Sequence, residues 1–166
     1  LLFLSAENML KPWAILNASA PGVQFEPNLK HLVLKFLLAW AYLAHLGGIE
    51  LAEDIIDDLT DILDETQRKP ILARVEGQLL ERINKGDFDA IPQYAHYLIS
   101  LLEEPNYEKA YQWYAIAVAL NLPDMMELRD DMESELETEK IPELQEISAA
   151  LFNRLMNGEA IKIGET

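Results

Sequence analysis

The stretch NYEKAYQWYAIAVALN, residues 106–121, decides how the rest of the chain is read. It has the length of a short helix, with Trp, Tyr and Ala crowded on one face and a polar turn at each end. A helix so short is not stable alone in water and must pack against neighbours. Ala110 and Ala117 are seven residues apart, small, and on one face, so they let a neighbouring helix approach closely. Trp113 and Tyr114 stand beside them, and each can bury on the order of 150–250 Å². Asn121 can take the left-handed conformation that closes a helix.

Working outward, the neighbouring segments carry helical signals too. Residues 5–18 form a weak helical pattern broken by Pro12, and residues 19–28 read as a loop that ends on Asn28 as a cap. The helix over 29–46 is apolar around most of its circumference and ends at Gly47-Gly48. Residues 50–65 form an amphipathic helix. Leu51, Ala52, Ile55, Ile56, Leu59, Ile62 and Leu63 make its stripe, and acids cover the rest. After a turn at 67–69, Pro70 starts a helix that runs to about Lys85 and stops at Gly86. Asp87 caps a helix over 88–102, with Pro92 in its first turn. A helix over 124–137 follows the central one. Thr138 caps the last, over 139–157, which stops at Gly158 before a loose tail over 158–166. No segment alternates at period two. The chain is predicted to be all-α, built of antiparallel helix pairs with short turns, as a solenoid or an irregular bundle.

Composition narrows the function. Acids outnumber bases 29 to 13, a formal charge of −16, which argues against nucleic acid and anionic membranes as partners. The same charge can steer a basic partner inward. There is no Cys, so disulfides and thiolate metal sites are excluded. The most apolar run, residues 32–46, is 15 residues long and includes Lys35 and His45. It reads as a buried helix rather than a membrane span, which needs about 20 residues. The expected location is the cytoplasm, or the periplasm or exterior if LLFLSA at residues 1–6 is the end of a removed signal.

Residues 87–147 resemble the SEL-one-like repeat, a relative of the tetratricopeptide repeat. The second helix of that family reads D-Y-x-K-A-x-x-W-Y-x-x-A-A-x-x-G. This chain has Asn106, Tyr107, Lys109, Ala110, Trp113, Tyr114 and Ala117, then Val118 and Asn121 where the family has Ala and Gly. In the family's first helix, A-x-x-x-L-G-x-x-Y, the corresponding residues are Ala90, Tyr94, Ala95 and Leu98, and residues 101–105 replace a glycine-rich loop. Many bacterial members follow the last repeat with A-x-x-x-R-D and a closing helix with I-x-E-x-Q. Here Met125, Arg129, Asp130, Ile141, Glu143 and Gln145 keep that spacing. The resemblance implies a short right-handed solenoid in which 87–157 is a terminal repeat with its capping helices and 1–86 holds degenerate repeats or a helical extension. It also implies that Ala90, Tyr94, Ala110, Trp113, Tyr114 and Ala117 pack the repeat. The first helices would line a groove, with Gln93, Tyr97 and Ser100 facing a protein or peptide partner.

Chemistry-bearing patterns are few. Asp57, Asp61 and Asp64 share a helix face, but calcium loops set their acids around a Gly in a turn, so this is a solvated face. Residues 124–146 carry ten acids against Arg129 and Lys140 and read the same way. His31, His45 and His96 are scattered and none lies in H-E-x-x-H. No Ser lies in G-x-S-x-G, and Gly47-Gly48 follows a helix instead of opening a phosphate loop. No catalytic, metal or cofactor residues stand out. The expected function is a non-catalytic interaction or scaffold module with a protein or peptide partner, basic in character. The alternative is a C-terminal scaffold or dimerisation domain of a larger enzyme or regulator, suggested by the apolar helix over 29–46.

Overall fold

The computed structural model describes residues 27–164, and every regular element among them is helical. The weak helix over 5–18 and the loop up to residue 26 lie outside the described residues. Two compact units divide within one helix, the first ending at Ile71 and the second beginning at Leu72. The boundary at 86/87 suggested by the sequence falls just after that helix ends at Asn84.

In the first unit α1 (Pro27–Leu46) packs against α2 (Leu51–Thr60). α1 starts two residues earlier than expected, because the fixed backbone angle of Pro27 suits a first helical position. Asn28 therefore lies inside the helix and does not cap it. Leu34, Leu38, Ala41 and Tyr42 form the buried face of α1, and Ala52, Ile55 and Leu59 that of α2. The phenol of Tyr42 is held above its usual pKa by burial, against the opposing pull of Arg68.

α2 stops at Thr60, five residues short of the sequence reading, and α3 (Glu65–Asn84) begins before its expected start at Pro70. Both shifts have one cause. Asp64 and Gln67 form a reciprocal capping box: Gln67 N donates to Asp64 Oδ1 at 2.9 Å, and Asp64 N donates to Gln67 Oε1 at 3.1 Å. Thr66 Oγ1 also donates to Asp64, and these bonds, the threonine's first, hold the Asp64 carboxyl below its usual pKa. Pro70 thus lies inside α3. Leu63 is fully buried from the turn, whereas Ile62, assigned to the α2 stripe, is exposed.

The second unit holds the rest of α3, then α4 (Ala90–Ser100), α5 (Tyr107–Ala119), α6 (Met125–Ser134), a single 3-10 turn at Thr138–Lys140, and α7 (Ile141–Met156). α5 is the element the others surround: it packs against α4, α6 and α7. Asn106 caps it through its side chain, accepting from Lys109 N at 3.0 Å. At its far end Asn121 adopts φ +58°, Leu122 N donates to Ala117 O at 3.1 Å, and Asn121 N donates to Val118 O at 2.9 Å. This is the six-to-one closure that left-handed residues permit at helix ends, and Gly48, Gly86 and Gly158 form it as well. Asp87, expected to cap α4, accepts instead from Arg82 Nε at 2.8 Å. The tail is not loose at Ile161, which is buried, while Asn84 Nδ2 donates to its carbonyl and its N–H donates back to Asn84 Oδ1, both at 2.8 Å.

Tyr114 on α5 is buried, and burial pushes its phenol from 10.0 up to about 12. The fold favours the neutral phenol, so its contribution to stability is intact below pH 10. It falls between pH 10 and about 12, as the unfolded chain ionises first, by roughly 1.4 kcal/mol per pH unit. Tyr114→Phe is expected to flatten this part of the alkaline unfolding curve. Superimposable curves for the two proteins above pH 10 would contradict the assignment.

Candidate functional site

The six residues expected to pack the repeat, Ala90, Tyr94, Ala110, Trp113, Tyr114 and Ala117, are all buried. Tyr94 joins the two helices of the α4–α5 hairpin: its ring meets Trp113 edge-on at 5.1 Å and 87°. Its hydroxyl also donates to Glu76 Oε1 on α3 at 3.0 Å.

The expected groove strip is placed differently. Tyr97 is only 2% exposed, stacks on Tyr94 at 6.0 Å, and donates to the Leu72 carbonyl at 3.4 Å. It cannot sit on an open face with Gln93 and Ser100 in this arrangement. Gln93 is half-buried and accepts from Arg82 Nη1 at 2.7 Å, while Ser100 is exposed and donates to the His96 carbonyl of its own helix at 2.8 Å. The reason is that α4 is covered along more of its circumference than an exposed solenoid helix would be. Ala90, Ile91, Tyr94, Ala95, Tyr97 and Leu98 are all buried, so only a narrow strip stays open.

An open surface lies instead on the helices that follow α5. A cleft of about 490 Å³ is lined by Arg129, Asp130, Glu133 and Ser134 of α6, Thr138 of the 3-10 turn and Ile141 at the start of α7. Ile141 supplies its buried apolar part. Arg129 Nε donates to Asp130 Oδ1 at 2.9 Å, so one acid of the lining is matched. Glu133 is exposed and makes no ion pair among the described residues, leaving the cleft with a net negative lining. The Ser134 hydroxyl donates to the Asp131 carbonyl at 2.7 Å, and no His or Cys lines the cleft, so no nucleophile–base pair is assembled there. Nearby, Lys140 is paired with Glu108 at 2.6 Å, and that hydrogen bond is the main cause of its raised pKa. Among the described residues no group of three or more His, Cys, Asp or Glu is placed to hold a metal ion.

Sequence reasoning located the acids of this cleft but read them as a uniformly solvated face. The missed signal was the break at residues 135–140. It separates α6 from α7 and turns part of that face into a concave surface.

α1 is also longer than the apolar run suggested. Residues 29–46 are by length and composition long and apolar enough to cross a membrane, with 33% of that window buried, so the length argument against a span does not hold for the helix as formed. Comparison with known proteins found no matching family model, curated protein or solved structure.

Proposed function

We propose that this chain is a non-catalytic protein-interaction module of tetratricopeptide-like type. In this reading α4 and α5 are a SEL-one-like repeat, α6 and α7 close it, and the stack is a short right-handed solenoid. The burial of all six packing residues of the pattern supports the repeat assignment. The observation that carries the function is the open, acid-lined cleft with Glu133 unmatched. Such a surface suits an extended peptide presenting Lys or Arg beside a small apolar residue that meets Ile141. The −16 charge of the chain would speed its approach.

Calorimetric titration with a short Lys/Arg-containing peptide tests the reading. Binding is expected to weaken as salt rises, because exposed charges are screened beyond about 10 Å at 0.1 M. Glu133→Lys is expected to weaken it by about tenfold, since like-charge juxtaposition replaces attraction. Binding indifferent both to salt and to Glu133→Lys, or no binding at all, would remove the cleft from the functional account.

A further inference from the structure

The joint between α7 and the tail holds the chain's one Asn-Gly pair, Asn157-Gly158. Both residues are exposed. Asparagine before glycine is open to a spontaneous reaction, attack of the next backbone nitrogen on the side-chain amide carbon, because glycine has no Cβ to hinder the approach. The Gly158 nitrogen bonds to Asn157 Cγ, ammonia leaves, and a five-membered imide forms. Water then opens the imide at one of its two carbonyls, giving aspartate or isoaspartate. The net change is ammonia lost and water gained, with no oxidant or reductant.

The folded backbone opposes this in two ways. The nucleophile is engaged: Gly158 N donates to Leu155 O at 3.0 Å, within a closure completed by Asn157 N to Asn153 O at 3.0 Å and Glu159 N to Arg154 O at 2.9 Å. Asn157 also stands at φ −83° and ψ −1°, which sets the Gly158 nitrogen over the residue's own nitrogen. Ring closure needs it turned over Cβ instead. That rotation swings the whole chain beyond Asn157, and only Gly158, Glu159 and Ala160 separate it from Ile161. Ile161 is pinned, buried by its side chain and paired by Asn84 at both N–H and C=O. Farther along, Ile163 Cδ1 lies 3.9 Å from where a Cβ on Gly77 of α3 would stand. Arg154 crosses the link as well, with Nε 3.4 Å from Glu159 Oε2 and Nη2 donating to the Ala160 carbonyl at 3.4 Å. Three residues leave too little slack, so the reactive rotation requires the tail to undock.

We propose that Asn157 is a site of spontaneous deamidation and that the docking of Ile161 on α3 guards it. Once made, the product works against docking. Isoaspartate routes the main chain through the side-chain carbon and adds a methylene to the short link. Either product also puts a carboxylate at the C-terminal end of α7, where the helix dipole disfavours it. The site does not depend on the acidic cleft, so either proposal can fail alone.

Peptide mapping by mass spectrometry, on the full chain held at mildly alkaline pH, tests it. The chain unfolded in guanidinium sets the unguarded rate. Native protein is expected to be modified at Asn157 at least about tenfold more slowly, since the rate follows the locally open population. Ile161→Val, only one methyl smaller and so mild enough to keep the fold, should speed the native reaction by about threefold. Asn84→Leu should speed it by about tenfold. Asn157→Gln should give no product at this position. In the modified fraction the Ile161 amide should exchange hydrogen faster than in the unmodified one. Equal rates in native and unfolded chains, or a native rate unmoved by both tail variants, would overturn the guarding role. No product at Asn157 even in the unfolded chain would overturn the site itself.

Discussion

Trp113→Ala is expected to destabilise the second unit by roughly 3–5 kcal/mol, the range for truncating a large buried aromatic. Trp113 is completely buried on α5, the helix that packs against α4, α6 and α7. Its ring is the surface that Tyr94 meets edge-on at 5.1 Å, and Tyr94 in turn carries the stacked Tyr97 and the bond to Glu76. Removing the indole therefore opens a cavity and also frees the aromatic row that joins α3, α4 and α5. Because a domain's whole stability is only about 5–15 kcal/mol, a third or more of it is at stake. Among the described residues the buried indole Nε1 has no hydrogen-bond partner. Trp113→Phe sheds that unpaired N–H while keeping an aromatic ring, so its cost should be less than half that of the alanine variant. Denaturant unfolding followed by circular dichroism measures both. Equal losses for the two variants, or a loss near zero for Trp113→Ala, would show that the ring does not organise the unit. Met126→Ala, at a 61% exposed position of α6, serves as the control with little expected change.

The contrast between Trp113 and Tyr97 shows what could be read from the sequence and what could not. The spacing of Ala110, Trp113, Tyr114 and Ala117 fixes one face of one helix, and a face that apolar must be buried whatever covers it. Tyr97 is ambiguous from sequence, because a Tyr between Gln93 and Ser100 fits a half-open strip as well as a core position. The choice was made by Leu72 on α3, whose carbonyl accepts from Tyr97, and by Tyr94, on which Tyr97 stacks and which Glu76 of α3 holds in turn; local periodicity cannot place these α3 residues.

Helix ends divide in the same way. Gly48, Gly86, Asn121 and Gly158 close helices where their residue types announce it, because few residues tolerate the left-handed backbone. Starts were less legible. Pro70 is a strong local signal for a helix start, yet the Asp64–Gln67 capping box satisfies two end groups at once and begins α3 five residues earlier. The candidate cleft was legible only as charge. Its concavity comes from how α6, the 3-10 turn and α7 are joined, and an acid-rich sequence carries no sign of that.

The tail offers the sharpest test of long-range structure, because nothing local at residues 158–164 calls for order. Ile161→Ala is expected to cost about 2–5 kcal/mol, as for other buried aliphatic truncations, although a tail would ordinarily tolerate change. Ile161 is 2% exposed and far in sequence from the α3 residue that holds it. Asn84 meets its N–H and its C=O at 2.8 Å each, so the amide side chain pairs with the backbone as a neighbouring strand would. Only Asn can do both from this position. Asp could still accept from the N–H but would bring a carboxylate to the Ile161 carbonyl, and Leu could do neither. Asn84→Asp and Asn84→Leu are each expected to lose roughly 1–3 kcal/mol and to speed hydrogen exchange at the Ile161 amide. If the two groups act as one anchor, Asn84→Leu combined with Ile161→Ala should cost less than the sum of the single changes, since releasing the segment by either route loses the same contacts. Strict additivity, with the Ile161 amide still protected in Asn84→Leu, would mean that the apolar side chain alone holds the tail and that the Asn84 pairing follows from that placement.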